Sequence, residues 1–171
     1  MATPHTAGSA VLLLEKHPTW STADVKSALV NTAARVVTDA LTATVDPGVM
    51  IRGGGRETLP DANTTLLTCD PSNSGFGQQK GNGLIRQTVS VRIHNVSSVA
   101  QTANLSVTGP SIVTVSPTSV RIAPGAAATV RVTLNAGRKA QTATGDYEGD
   151  VVLSAGGKQI RLPWWVRILR N

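Results

Sequence analysis

Three histidines, one cysteine and a scatter of serines and acids are the residues of this 171-residue chain with the types to do chemistry. Serine catalysis needs a serine beside a histidine that a carboxylate orients. His5 follows Thr3-Pro4, His17 precedes Pro18, and His94 stands near the end of a predicted strand. None of them has a Ser and an Asp in a triad context. Gly8-Ser9-Ala10 lacks the Gly-x-Ser-x-Gly elbow that would present a nucleophile, and falls inside a predicted helix. Cys69 has no His or CxxC partner nearby and reads as a small packed residue. Arg52-Gly53-Gly54-Gly55-Arg56 lacks the Gly-Lys-Ser/Thr of a phosphate loop and reads as a tight turn. Gly145-Asp146-Tyr147-Glu148-Gly149-Asp150 lacks calcium-loop spacing. It reads as a turn leading into a strand, with Tyr147 packed in a corner. Asn63-Thr64-Thr65, Asn95-Val96-Ser97 and Asn104-Leu105-Ser106 are glycosylation triplets, meaningful in a eukaryotic secretory pathway. The sequence therefore assigns no catalytic, cofactor-binding or metal-binding residue.

The elements around these residues are clearer. Pro4 suits the first turn of a helix, where its lost N–H costs nothing. From there to about Lys16 the run Ala7, Gly8, Ala10, Val11, Leu12, Leu13, Leu14 is apolar nearly all round, the pattern of a buried helix. Trp20-Ser21-Thr22-Ala23-Asp24-Val25 predicts a second helix start. Ser21 is the N-cap, Asp24 completes a capping box, and Trp20 and Val25 stand at the staple positions. Val25, Ala28, Leu29, Thr32 and Ala33 make its apolar face, with Lys26 and Asn31 lying elsewhere. Each helix is marginal in isolation. Leu12, Leu13 and Leu14 point in three directions, so residues 1–45 are expected to expose apolar surface, or to pack non-natively, when this chain stands alone.

Asp46-Pro47-Gly48 signals a turn, and 63–85, rich in Asn, Ser, Gly and Pro, reads as a linker or long loop. From Gln87 the period becomes two. Val89/Val91/Ile93, Leu105/Val107, Val113/Val115, Val120/Ile122, Val130/Val132/Leu134, Tyr147/Val151/Leu153 and Ile160 through Ile168 mark seven short strands. That is the form of an antiparallel β-sandwich. Pro163 predicts an edge position or a bulge in the last strand. Trp164 shares the core face with Ile160, Leu162, Val166 and Ile168. Trp165 shares the other face with Arg161 and Arg167, either covering a neighbouring domain or contacting a ligand.

Bulk properties exclude some classes. The hydrophobic fraction of 40% fits a globular chain, and the formal charge is +6. Arg92, Arg121, Arg131, Arg161 and Arg167 are scattered through strands like a solvated sheet face, without the basic clusters and aromatics of a nucleic-acid interface. One cysteine forms no intrachain disulfide framework. The apolar run Ala10–Leu14 follows no basic start and precedes no cleavage site, so no export signal is read here. No apolar run reaches membrane-spanning length.

Met1-Ala2-Thr3-Pro4-His5-Thr6-Ala7-Gly8 resembles the segment that follows the nucleophilic serine of subtilisin-like serine proteases. His17-Pro18-Thr19-Trp20, Ala28-Leu29-Val30-Asn31-Thr32-Ala33 and Gly53-Gly54-Gly55-Arg56 are similar, in order, to later elements of that catalytic domain, with Gly54 where Ala is usual. Gly75-Phe76-Gly77, Val113-Thr114-Val115-Ser116-Pro117, Ala123-Pro124-Gly125 and Leu162-Pro163-Trp164-Trp165-Val166 resemble the fibronectin type III-like domain appended to many secreted subtilases. The resemblance implies an α+β content: a helical remnant of an α/β catalytic domain over 1–62, a linker over 63–85, and a fibronectin type III/Ig-like β-sandwich over 86–171. It implies that the triad and oxyanion asparagine lie before Met1, so that this chain alone is inactive, and that the intact relative is extracellular. Its implied partners are the N-terminal part of the catalytic domain and a protein or peptide substrate, with no cofactor, nucleic acid or membrane. A stand-alone sandwich that binds through Trp165, Arg161 and Arg167 is the alternative, and a split protease a third.

Overall fold

A computed structural model describes the chain apart from Met1, Val37, Asp39, Ala40, Thr42, Thr44, Val45, Lys139 and Ala140. The part of the opening motif that falls on Met1 lies outside the described residues. The alternating segments become strands of two sheets facing each other. One has the order β1 (Leu67–Asp70), β3 (Ile85–Asn95), β7 (Ala127–Ala136), β5 (Val113–Ser116). The other has the order β2 (Ser74–Lys80), β9 (Lys158–Leu169), β8 (Gly145–Ala155), β4 (Gln101–Val107), β6 (Ser119–Ile122). Every pairing is antiparallel except β2 beside β9. Inward residues interdigitate between the sheets: Val91, Ile93, Val130, Val132 and Leu134 against Leu105, Val151, Leu153, Leu162, Trp164, Val166 and Ile168. Each such side chain is worth about 1.5–3 kcal/mol of burial.

All seven sequence-read strands are present, as β3 to β9. Two more, β1 and β2, occupy much of the stretch that reads as a linker. Their composition hides them, because Ser74-Gly75-Phe76-Gly77 is turn-like by residue type yet pairs along β9. Pro163 is placed differently from expectation. β9 is an interior strand, but β2 begins opposite Trp164, so Pro163 lies just beyond that ladder. The irregularity sits across the pair, between Gly75 and Gly77. Trp164 is fully buried and donates its indole N–H to the Thr108 carbonyl at 3.2 Å.

Among the described residues four helices precede the sheets: α1 (Ala2–Lys16), α2 (Thr22–Asn31), α3 (Val49–Arg52) and α4 (Leu59–Asn63). The described structure is therefore mostly β with two sheets and few helices, where α+β content was expected. The α2 capping box forms as read, with Ser21 Oγ accepting from the Asp24 N–H and Asp24 accepting from the Ser21 N–H. Leu13, Trp20, Val25, Ala28, Leu29 and Ala62 make a small second core. His17 stacks on Trp20, ring centroids 4.0 Å apart, and its Nε2 lies 2.9 Å from Asn63 Oδ1. Along α1 only Leu13 is buried, while Val11, Leu12 and Leu14 stay 64%, 52% and 41% exposed. Three successive leucines diverge around a helix, and a single layer of neighbours covers one of them.

Candidate functional site

The richest chemistry lies on the seam between the helical segment and both sheets. α2 has two buried faces. Its apolar face meets α1 and α4, as the periodicity predicts. Its other face, Asp24, Ser27 and Asn31, lies at helical spacing and is equally buried. Asn31 was expected to lie away from the packed face. Instead its Nδ2 donates to the carbonyls of Ser72 and Arg161, at 2.8 and 2.7 Å. Ser27 Oγ donates to Asn31 and accepts the Cys69 N–H. These bonds satisfy backbone groups left open at β1, just after it and at β9, so this face of α2 is fastened to the sheets by polar contacts.

Asp24 is the centre of this seam. Ser21, Thr68 and His94 all point at its carboxylate, with His94 Nδ1 2.8 Å from Oδ1. Burial opposes the charge, but the hydrogen bonds from Ser21, Thr68 and His94 outweigh it and hold the pKa at about 2. The sequence did not reveal this Asp–His pair, because its members are far apart in the chain and meet only where α2 packs on β1, whose Thr68 pairs with His94 of β3. Ser21, the serine at this carboxylate, bonds Asp24 and not the imidazole. Among the described residues no serine hydroxyl is bonded to a histidine ring. Ser9 Oγ donates to Glu57, and His5 lies on the exposed start of α1.

A second charged cluster comes from the acids of β8. Asp146, Glu148 and Asp150 alternate along the strand and so share one face of the sheet. The turn expected at this stretch is thus part of a strand, and Tyr147 donates its hydroxyl to the Ala143 carbonyl at 3.1 Å. Asp146 pairs with Arg167 at 2.7 Å, which lowers the acid's pKa and raises the base's. Glu148 accepts the Met50 N–H at 2.7 Å, tying down α3. Asp150 is buried and receives both Arg35 and Arg52, the latter at 3.1 Å. Asp46 completes the group. Arg52 Nε and Asp46 Oδ1 are 2.6 Å apart but misaligned for a hydrogen bond, so this contact is purely ionic. Two guanidinium groups and two carboxylates thus balance at the seam. Among the described residues no group of three or more His, Cys, Asp or Glu has the arrangement of a metal site.

The remaining sequence candidates resolve as follows. Cys69 is buried, and burial pushes its thiol up to about 12, so it packs rather than reacts. The Gly53-Gly54-Gly55 turn packs on the end of α2. A Cβ on Gly54 would lie 2.7 Å from the Val30 carbonyl, and one on Gly55 2.5 Å from that of Ala34. The glycine at 54 is therefore demanded by this backbone approach. Asn95 is fully buried and gives its Nδ2 to the carbonyls of Val99, Ile122 and Ala123, so its triplet is closed to modification in the folded state. Arg92, Arg121 and Arg131 are exposed, as a solvated face requires. Trp165, Arg161 and Arg167 share a face of β9 but not one surface. Trp165 is half-buried in a cleft with Met50, Gly53, Gly54 and Pro163, Arg161 faces a separate cleft beside Arg35, and Arg167 is tied to Asp146. Among the described residues no helix is long and apolar enough to cross a membrane.

These features define an Ig-like β-sandwich with a helical segment clamped to both sheets. Residues 67–161 match the family of the Ig-like fold at the C-terminus of FixG, and residues 1–83 match the subtilase family. By the first match, which takes in more than half of it, the chain belongs to that family of Ig-like folds; through residues 1–83 it is related to the subtilases. Over 95% of its length it is 30% identical to the subtilisin-like protease SBT2.5 of Arabidopsis thaliana, of which it spans 26%. Over 94% of its length it is 31% identical to the minor extracellular protease Vpr of Bacillus subtilis (strain 168), of which it spans 20%. The chain thus covers about a quarter or less of these relatives. A FixG-related protein from Vibrio parahaemolyticus superposes with a TM-score of 0.44 and 12% identity, over 61% of this chain and 98% of that one.

Proposed function

We propose that this chain is the C-terminal part of a secreted subtilisin-like serine endopeptidase. On this reading residues 1–62 belong to the end of the catalytic domain, and the sandwich is its fibronectin type III-like companion, bracing that domain on a protein substrate. The observation that carries the proposal is the span of the similarity: it runs through both the helical segment and the sandwich, over 95% of the chain in SBT2.5 and 94% in Vpr. The exposed Val11, Leu12 and Leu14 of α1 support it, since the further layers of a catalytic domain would cover them. The proposal makes the chain inactive by itself. In a casein assay the purified chain is expected to give no hydrolysis sensitive to a serine-directed inhibitor. Co-expressed with a chain that carries the Asp and His motifs and ends in Gly-Thr-Ser, it is expected to restore such hydrolysis. Inhibitor-sensitive turnover by the chain alone, or none by the pair, counts against the reading.

A further inference from the structure

A cleft of about 410 Å³ opens where the chain leaves α2 and passes the start of β9. Arg35 enters it from the helical segment, and Lys158 and Arg161 from the sandwich. The partly buried Ala33 and Ala34 and the buried Ile160 line it as well. Asp61 is the acid on its wall. Three cations thus face one carboxylate across a concave, partly apolar surface, where field lines concentrate.

The pairing of these cations is uneven. Arg35 is engaged by Asp46 and Asp150. Arg161 donates to the neutral Gln159 Oε1 at 2.6 Å, and Lys158 to the neutral Thr64 Oγ1 at 2.6 Å. Among the described residues neither makes an ion pair. Burial first, then the neighbouring Arg52, holds the Arg35 pKa below its ordinary value, and Arg161 adds to that repulsion. An arriving anion would relieve it and give Arg161 and Lys158 the charge-assisted bonds they lack. The volume exceeds what a bare ion fills and falls in the range of small-molecule sites.

We propose that this cleft binds a small organic oxyanion, a molecule carrying a carboxylate or phosphate group, held by Arg161 and Lys158 with Arg35 behind them. The inference is independent of the protease reading, because it uses the cleft alone. The test is calorimetric titration of the full chain with inorganic phosphate and, separately, with succinate, at constant ionic strength. One-site saturable binding is expected, with a Kd on the order of 1 mM or tighter. R161Q and K158Q should each weaken it at least about tenfold. R167Q, on the same strand but outside the cleft, should leave it unchanged. The tighter of the two probes identifies the group recognised. No saturation by either probe below about 10 mM overturns the proposal. So does an equal loss in R167Q, which would mean diffuse attraction to a basic chain. Lys158 is exposed beside the Gly156-Gly157 turn, so K158Q tests the site even if R161Q disturbs β9.

Discussion

At the scale of single residues, Asp24 shows how a cap becomes a clamp. As the N3 residue of a capping box it would be worth about 0.3–1.5 kcal/mol to an isolated helix. Here it also collects Thr68 and His94 from the two strands beneath it. Its pKa is lowered to about 2, so the charged form stabilises the fold above the ordinary carboxylate pKa. That contribution is lost as pH falls from about 4 to about 2, and it amounts to about 2 kcal/mol. Urea unfolding of the chain should therefore show falling stability across that window. D24N should be less stable at neutral pH and should lack this part of the acid dependence. An unchanged acid limb in D24N would assign the dependence to other carboxylates. Arg170 is a second residue whose role is invisible in its neighbourhood. Its guanidinium donates to the carbonyls of Gly81 and Gly83 and of Gly137 and Thr142, joining the β2–β3 and β7–β8 loops beside the last residues.

At the scale of elements, β8 carries two programmes on one strand. Its inward residues, Val151 and Leu153, belong to the sandwich core, while Asp146, Glu148 and Asp150 hold Arg167, α3 and the two arginines of the seam. Gly149 sits between these acids because the Thr108 loop crosses it. A Cβ there would lie 2.1 Å from the Thr108 carbonyl and 2.9 Å from the Trp164 ring. The carbonyl is backbone and Trp164 is locked in the core, so neither can yield. G149A should destabilise the chain by about 1–3 kcal/mol, the range of overpacking. The shift of the urea midpoint measures it. A midpoint equal to that of the parent would show that the Thr108 loop moves freely.

At the scale of the whole molecule, the helical segment and the sandwich share a boundary made of charge and hydrogen bonds. Asp150 is the keystone, being buried and facing Arg35 and Arg52 together. Replacing it by alanine leaves two guanidinium groups facing each other with Asp46 alone, and removing one partner of a buried pair typically costs about 3–5 kcal/mol. D150A should therefore lose stability of that order and lose protection from amide exchange first in α2 and α3. Equal loss of protection across both sheets would instead locate the damage inside β8.

The sequence by itself determined the local elements: the α2 cap, seven of the strands, and Trp164 as a core residue. Each is written in a period or a short motif that acts over a few residues. It also showed that Leu12, Leu13 and Leu14 could not all be covered by a small neighbour. The tertiary structure alone decided what β1 and β2 are, since their turn-like residues become strands by pairing with Ile85–Asn95 and Lys158–Leu169. It alone joined Asp24 to His94, Asn31 to the Arg161 carbonyl, and the acids of β8 to Arg35 and Arg52. Such contacts are set by which surfaces meet after the sheets close. A buried polar group seeks its partner in space, and nothing in the spacing of the chain records where that partner will be.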